Sequence, residues 1–251
     1  MKIAKFRYKK SILWGIINAN GSITCLKGEP FGKIKKTTKK VSLKKIELLA
    51  PATPSKIILV GLNYRDHARE LKMPIPKEPI IFLKPPTSLT AHNESIVFPN
   101  GVKQLDYEAE LALVIKKKTR NITKNNYHKY ILGYTALNDI TARDLQAKDI
   151  QWTRAKSFDN FCPIGPWLET EFNPNSARIQ LRLNGKLRQD SSTANFIFSV
   201  GYIVSFVSKV MTLLPGDIIS TGTPPGVGPM KKGDKVQVFI EGIGNLINYI
   251  I

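Results

Sequence analysis

Asp106, Glu108 and Glu110 alternate with other residues and run straight into the apolar segment Leu111-Ala-Leu-Val-Ile115. In a strand, alternate side chains point to one face, so the three carboxylates would share a face, roughly 6–7 Å from one to the next. Like charges so placed repel, and burying them is costly unless something positive sits between them. The chain has only 19 acidic residues against 38 Lys and Arg. Three of those 19 within five residues argue for a divalent cation.

Four further clusters carry residues capable of chemistry. Gly61-Leu-Asn-Tyr-Arg-Asp-His-Ala-Arg-Glu70 follows an apolar run, and its His67 and Glu70 lie at i, i+3 on a predicted helix. A carboxylate so placed can orient an imidazole, although Asp66 as a helix cap beside a solvated charged face explains the same pattern. Asp139, in Asn138-Asp-Ile-Thr141, stands at a predicted strand end and could complete a cation site with Glu108 and Glu110, or cap a helix. An all-oxygen shell with few protein carboxylates suits Mg²⁺ or Mn²⁺ and leaves positions for water and substrate. Lys156 lies amid Trp152, Ala155, Phe158 and Phe161, where it is either a partly buried ammonium that needs an anionic partner, the carboxylates or a substrate oxyanion, or a surface lysine snorkelling to water. Thr221-Gly-Thr223-Pro-Pro-Gly226 offers a hydroxyl on a turn that permits close approach of backbone to ligand. It lacks the lysine of a phosphate-binding loop.

The elements that must position these groups are mainly strands. Residues 1–28 read as a hairpin or small sheet, residues 29–45 as a connecting loop, and Pro51-Ala-Thr-Pro54 as a boundary, so the chain divides near residue 50. Beyond it, strands are predicted over 57–60, 80–83, 109–115, 130–138, 179–183, 217–221 and 235–241. Helices are predicted over 66–71 and 203–214, the latter from helical spacing of Ile203, Val204, Val207, Val210, Met211 and Leu214. His92 and His128 read as surface residues.

Composition bounds the function. No apolar run approaches the ~20 residues of a membrane span. Cys25 and Cys162 lack a neighbouring partner, which argues against a disulfide framework or a zinc site. The basic start has no signal-peptide pattern, so a reducing cytoplasm is the expected compartment. The net charge of +19 is concentrated in residues 1–49, where 13 basic residues meet only Glu29 and Glu47. The lysines are scattered or in doublets, and no nucleic-acid-binding motif accompanies them, so a solvated surface is the expectation rather than a polyanion site.

In combination these clusters resemble the fumarylacetoacetate hydrolase superfamily, in its shorter branch. The resemblance rests on Val60-Gly-Leu-Asn-Tyr-Arg-Asp-His67, Phe82-Leu-Lys-Pro85, Asp106-Tyr-Glu-Ala-Glu-Leu111, Asn138-Asp-Ile-Thr-Ala-Arg-Asp144, Trp152-Thr-Arg-Ala-Lys-Ser-Phe158, Arg188-Gln189, Phe196-Ile-Phe-Ser199 and Thr221-Gly-Thr-Pro224. It implies a mainly β fold with some α: a mixed β-roll, barrel-like catalytic domain over 51–251, with a small N-terminal β region and linker over 1–50. It implies that Glu108, Glu110 and Asp139 bind Mg²⁺ or Mn²⁺, and that Lys156 acts in the site. Gln146 and Thr223 would lie near substrate, and His67 and Glu70 on a lid over it. Asp106 is then left as a supporting group. The implied chemistry is an enolate of a small 2-oxo acid. It would serve acylpyruvate hydrolysis or oxaloacetate decarboxylation, with isomerisation or hydration of unsaturated 2-oxo acids as the alternative. A homodimer is implied as well. A non-catalytic, polyanion-binding protein with the same fold is the reading from a different class.

Overall fold

The computed structural model describes residues 1–251. Alternating apolar residues near the N-terminus form β1 (Lys2–Tyr8), β2 (Ser11–Ile17) and β3 (Ser22–Leu26). Next come β4 (Lys36–Ser42) and β5 (Glu47–Leu49). The segment predicted as a loop over 29–45 thus contains a strand. β4 lies at the sheet edge and buries only Val41 fully, so its lysines face water and no alternation marks it. Ala4, Phe6, Ile23, Cys25 and Val41 close a small core beneath these strands.

The following elements are β6 (Ile57–Gly61), α1 (Arg65–Glu70), β7 (Ile80–Lys84), β8 (Leu89–Thr90), β9 (Ser95–Ile96) and β10 (Leu105–Tyr107). Then come β11 (Ala109–Ile115), β12 (Ile131–Asn138), β13 (Thr141–Ala142), α2 (Arg143–Lys148), α3 (Thr153–Lys156) and β14 (Cys162–Glu169). The chain ends with β15 (Arg178–Leu183), β16 (Lys186–Ser192), α4 (Val200–Val210), β17 (Ile218–Ser220), β18 (Gly228–Met230), β19 (Lys235–Ile240) and β20 (Gly244–Ile250). The large sheet runs β4-β3-β2-β1-β14-β12-β11-β17-β6-β7. A second sheet runs β16-β15-β19-β20-β9, and a short one β13-β10-β18. The fold is mainly β with mixed sheets, as the sequence predicts. The N-terminal strands join the large sheet through β1 and β14, with Lys2 opposite Glu169 and Ile3 opposite Leu168.

β11 shows why the centre of this sheet is apolar on both faces. Leu111, Leu113 and Ile115 enter the larger core, whereas Ala112 and Val114 enter a smaller one with Ile57, Leu59, Leu137, Cys162 and Ile164. Period-two geometry puts Glu110 on the side of Ala112 and Val114. The carboxylate therefore stands at the end of the smaller core.

Two further predictions need correction. Asp106, Glu108 and Glu110 do not lie on one strand. β10 pairs with β13 and β18, β11 pairs with β12 and β17, and Glu108 occupies the break between them. Asp106 does not join the cluster that Glu108 and Glu110 form with Asp139. The helix predicted over 203–214 is α4, shifted towards the N-terminus. Ser199 accepts a hydrogen bond from Tyr202 N and starts it earlier. Met211 is extended, and Leu213 bridges to Thr119, so the helical spacing of Met211 and Leu214 is coincidental.

Candidate active site

The β11–β12 ladder builds the floor. Ala109 lies opposite Asn138 and Glu110 opposite Leu137. Just beyond the last pair, Asp139 N donates to Glu108 O at 2.8 Å. Asn138 Oδ1 accepts from Glu108 N at 2.9 Å. Glu108 and Asp139 are therefore side by side, with Glu110 two residues along. One ligand oxygen from each of the three lies within 4.8 Å of the others, and all three residues are buried.

Each carboxylate is held differently. Glu108 Oε1 accepts from Arg143 Nη2 and from Thr141 Oγ1 at 3.2 Å, and Oε2 accepts from Lys156 Nζ at 3.0 Å. Burial alone would raise its pKa, but the Lys156 ammonium and the Arg143 guanidinium bring it down to about 2. Asp139 Oδ2 accepts from Lys156 Nζ at 2.6 Å. Its Oδ1 contacts Lys84 Nζ at 2.6 Å, outside hydrogen-bonding geometry. Glu110 Oε2 accepts from Ser220 Oγ and, at 2.9 Å, from Gly222 N. Burial and then the Asp139 charge push the Glu110 carboxyl well above its ordinary range. Burial opposes the charge of Lys156 as well, but Asp139 and Glu108 outweigh it and raise its pKa.

A cavity of about 420 Å³ opens above this floor. Glu108, Glu110, Asp139, Lys156, Gln146, Thr223 and His67 all line it. Glu70 does not line it but accepts from Gly226 N at 3.0 Å through Oε1 and pairs with His67 Nδ1 at 2.8 Å through Oε2. That contact leaves Nε2 as the ring nitrogen not engaged by Glu70. The mouth is apolar, with Leu71, Met73, Ile80, Phe82 and Trp152.

α1 is tied down over this mouth by its charged residues. The alternative reading of Asp66 as a helix cap does not hold, since the cap position is Tyr64 and no side chain caps it. Asp66 Oδ2 instead accepts from Ser191 Oγ and from Asn195 Nδ2 at 3.1 Å. Arg65 reaches the carbonyl of Phe196. Of the remaining histidines, His128 is exposed, as expected. His92 is half-buried and accepts from Ile247 N at 3.1 Å. Its reading as a surface residue is therefore corrected.

Arg143, Lys84 and Gln189 were quoted in motifs without being assigned to the site. Arg143 spans Asp106 at 2.8 Å and Glu108, and also reaches Gln146, which fixes Asp106 as a partner of the guanidinium. Gln189 is fully buried. Its Oε1 accepts from Ala109 N at 2.9 Å, and its Nε2 donates to Thr223 Oγ1 at 2.9 Å and Pro224 O at 2.8 Å. A lysine closing the apolar strand Ile80-Ile-Phe-Leu-Lys84 was the available signal for Lys84.

The donor set fits a hard divalent cation. It is all oxygen, and it concentrates like charge in a buried place. Glu108, Glu110 and Asp139 could hold such an ion, with Lys156 and Arg143 as fixed positive charge beside it.

Residues 56–251 match the family Fumarylacetoacetate (FAA) hydrolase C-terminal, and residues 1–51 match Rv2993c-like, N-terminal. The chain belongs to the fumarylacetoacetate hydrolase family. A Methanocaldococcus jannaschii protein is 58% identical over 197 residues, covering 78% of this chain and 83% of its own. The mitochondrial oxaloacetate tautomerase Fahd2a of Rattus norvegicus is 42% identical over 218 residues, covering 82% of this chain and 70% of its own. The crystal structure of 5-carboxymethyl-2-hydroxymuconate delta-isomerase from Mycobacterium smegmatis superposes with a TM-score of 0.95 at 39% identity. That match covers 100% of this chain and 99% of the other.

Proposed function

We propose that this protein is a Mg²⁺- or Mn²⁺-dependent enzyme that interconverts keto and enol forms of a small 2-oxo acid, with oxaloacetate as the substrate to test first. The observation that carries this reading is the buried Glu108, Glu110 and Asp139 set beneath a cavity that also contains Lys156 and His67. The rat tautomerase and the mycobacterial isomerase both bear names of proton-shifting enzymes, which favours this reaction over the others open to the same site.

Glu108, Glu110 and Asp139 would hold the divalent cation, which would supply Lewis acidity towards a 2-oxo acid. Lys156 sets a positive charge against the oxygen on C2 as it gains charge. His67, oriented through Nδ1 by Glu70, takes or returns the proton at C3 through Nε2. Gln189 Nε2 donates to Thr223 Oγ1, so the Thr223 hydroxyl hydrogen is free to point at substrate. Apolar residues at the mouth limit access of water.

Hydrolysis of acylpyruvates is the second reading. The His67–Glu70 pair favours it, because an imidazole backed by a carboxylate can activate water. So does the apolar mouth, which fits an acyl chain. On family grounds the chain is proposed to be a homodimer, and a monomer in light scattering would contradict that.

The test is the conversion of oxaloacetate enol to keto form, followed by ultraviolet absorbance, with pyruvate release from acetylpyruvate and oxaloacetate measured in parallel. Free Mg²⁺ acts on oxaloacetate by itself, so Glu108→Ala at equal Mg²⁺ is the control. Faster tautomerisation than the variant without pyruvate release supports the proposal. Pyruvate release from acetylpyruvate moves hydrolysis ahead, and release from oxaloacetate alone moves decarboxylation ahead. No difference from the variant rejects all three.

A further inference from the structure

Lys84 is a charged side chain that the mechanism above does not use. It closes β7, its side chain has no exposure, and its partner Asp139 is 1% exposed. An unpaired ammonium in such a place is costly, so its partners define what it does. Nζ donates to Ile140 O at 3.0 Å and to Phe161 O. These carbonyls come from the chain just after Asp139 and just before β14. With its hydrogens directed at them, the ammonium still lies 2.6 Å from Asp139 Oδ1.

The two lysines on Asp139 differ in kind. Lys156 is on the short helix α3, lines the cavity, and also bonds to Glu108. Lys84 does not line the cavity and contacts no other carboxylate. It is anchored in a strand that pairs with β6 from Ile57 to Gly61. Any influence it has on substrate must pass through Asp139.

We propose that Lys84 is a positioning residue for the cation site: held by the carbonyls of Ile140 and Phe161, it fixes the Asp139 carboxylate in the orientation that ligates. The inference rests on the reading of Glu108, Glu110 and Asp139 as a divalent-cation site. Lys84 does for Asp139 what Ser220 and Gly222 do for Glu110 and what Arg143 does for Glu108. Outer partners of metal ligands commonly change metal affinity about 10–100-fold when removed.

The experiment is calorimetric titration of the full chain with Mn²⁺ alone, for wild type and Lys84→Met. Thermal unfolding of both without metal accompanies it, together with Asp139→Asn and the double variant. Lys84→Met should weaken Mn²⁺ binding about 10-fold or more. In unfolding, the double variant should be more stable than Lys84→Met alone, because Asp139 then no longer keeps a buried charge that has lost one of its two lysines, with only Lys156 left against it. Mn²⁺ binding as tight as wild type, or tighter, would overturn the proposal, since Lys84 would then act only as a repelling charge or as packing. A double variant no more stable than the single one would also overturn it. If Lys84→Met does not fold, its rescue by Asp139→Asn decides the matter. Failure of wild type itself to bind Mn²⁺ would remove the underlying site reading instead, and is seen before any variant is compared.

Discussion

At the scale of residues, the site is a balance of buried charges in which each carboxylate has its own counterweight. Glu108 is held ionised by Lys156 and Arg143, whereas Glu110 leans on a hydroxyl and a backbone N–H. The His67–Glu70 pair lies outside that balance, so its loss should affect turnover and not cation binding. Glu70→Gln should lower kcat about 10–100-fold with Mn²⁺ affinity unchanged, as read by steady-state kinetics beside calorimetry. A parallel loss of affinity would show that α1 supports the floor as well. Glu108, Glu110, Asp139 and Lys156 were legible because short motifs bring unlike chemistry together. Gln189 and Lys84 were not, because their partners lie far away in sequence. Gln189 reaches Ala109 across 80 positions, and Lys84 reaches Ile140 across 56. The lysine that closes an apolar strand marks Lys84 as unusual, but no local pattern names the distant groups that either residue meets.

At the scale of elements, loops fixed by specific backbone shapes hold the site together. Gly226 has φ +91, and a Cβ there would lie 2.2 Å from Arg188 O. Gly226→Ala should destabilise the fold by about 1–3 kcal/mol, measured by urea unfolding, and should loosen the Glu70 contact made by the same residue. An unchanged midpoint would show that the Thr223 loop moves freely. The tie from Asp66 to Ser191 and Asn195 helps to keep α1 over the mouth, beside those of Arg65 and Glu70. Asp66→Asn should therefore raise the rate of limited proteolysis within residues 65–79 several-fold, and an unchanged cleavage pattern would contradict that role. The long apolar strand β11 was read correctly to the residue, and β12 to within one residue. β14 was missed because Pro163, Gly165 and Pro166 interrupt it, residues that argue against a strand in isolation. The break at Glu108 was missed because an alternating carboxylate pattern looks continuous until the two halves are paired with different neighbours.

At the scale of the molecule, the basic excess and the fold are separate matters. β4 ends the large sheet with Lys36, Lys39 and Lys40, and charged side chains on an edge strand disfavour pairing with other chains. No helix is long and apolar enough to cross a membrane. The junction of β6 and β17 is held by Asp217, which accepts from Lys56 Nζ, Ser55 and Leu214 N. Burial raises its pKa, but Lys56, Leu214 and Ser55 outweigh that and leave it lowered. A carboxyl with a depressed native pKa stabilises the fold above its unfolded value, here 3.8, and loses that contribution as pH falls through the native value. Asp217→Asn should thus lower Tm at neutral pH, and the gap should close as pH falls well below 3.8. A gap constant with pH would mean that shape rather than charge matters there.

The proposed reaction passes through an enolate of a 2-oxo acid formed in this cavity. Hydrogen–deuterium exchange at C3 of pyruvate, followed by proton NMR in D₂O with Mg²⁺, tests it without presupposing the final product. Exchange should be rapid with wild type and slower by about 100-fold or more with Glu108→Ala at equal Mg²⁺. Equal exchange rates in the two would contradict enolate formation at this site.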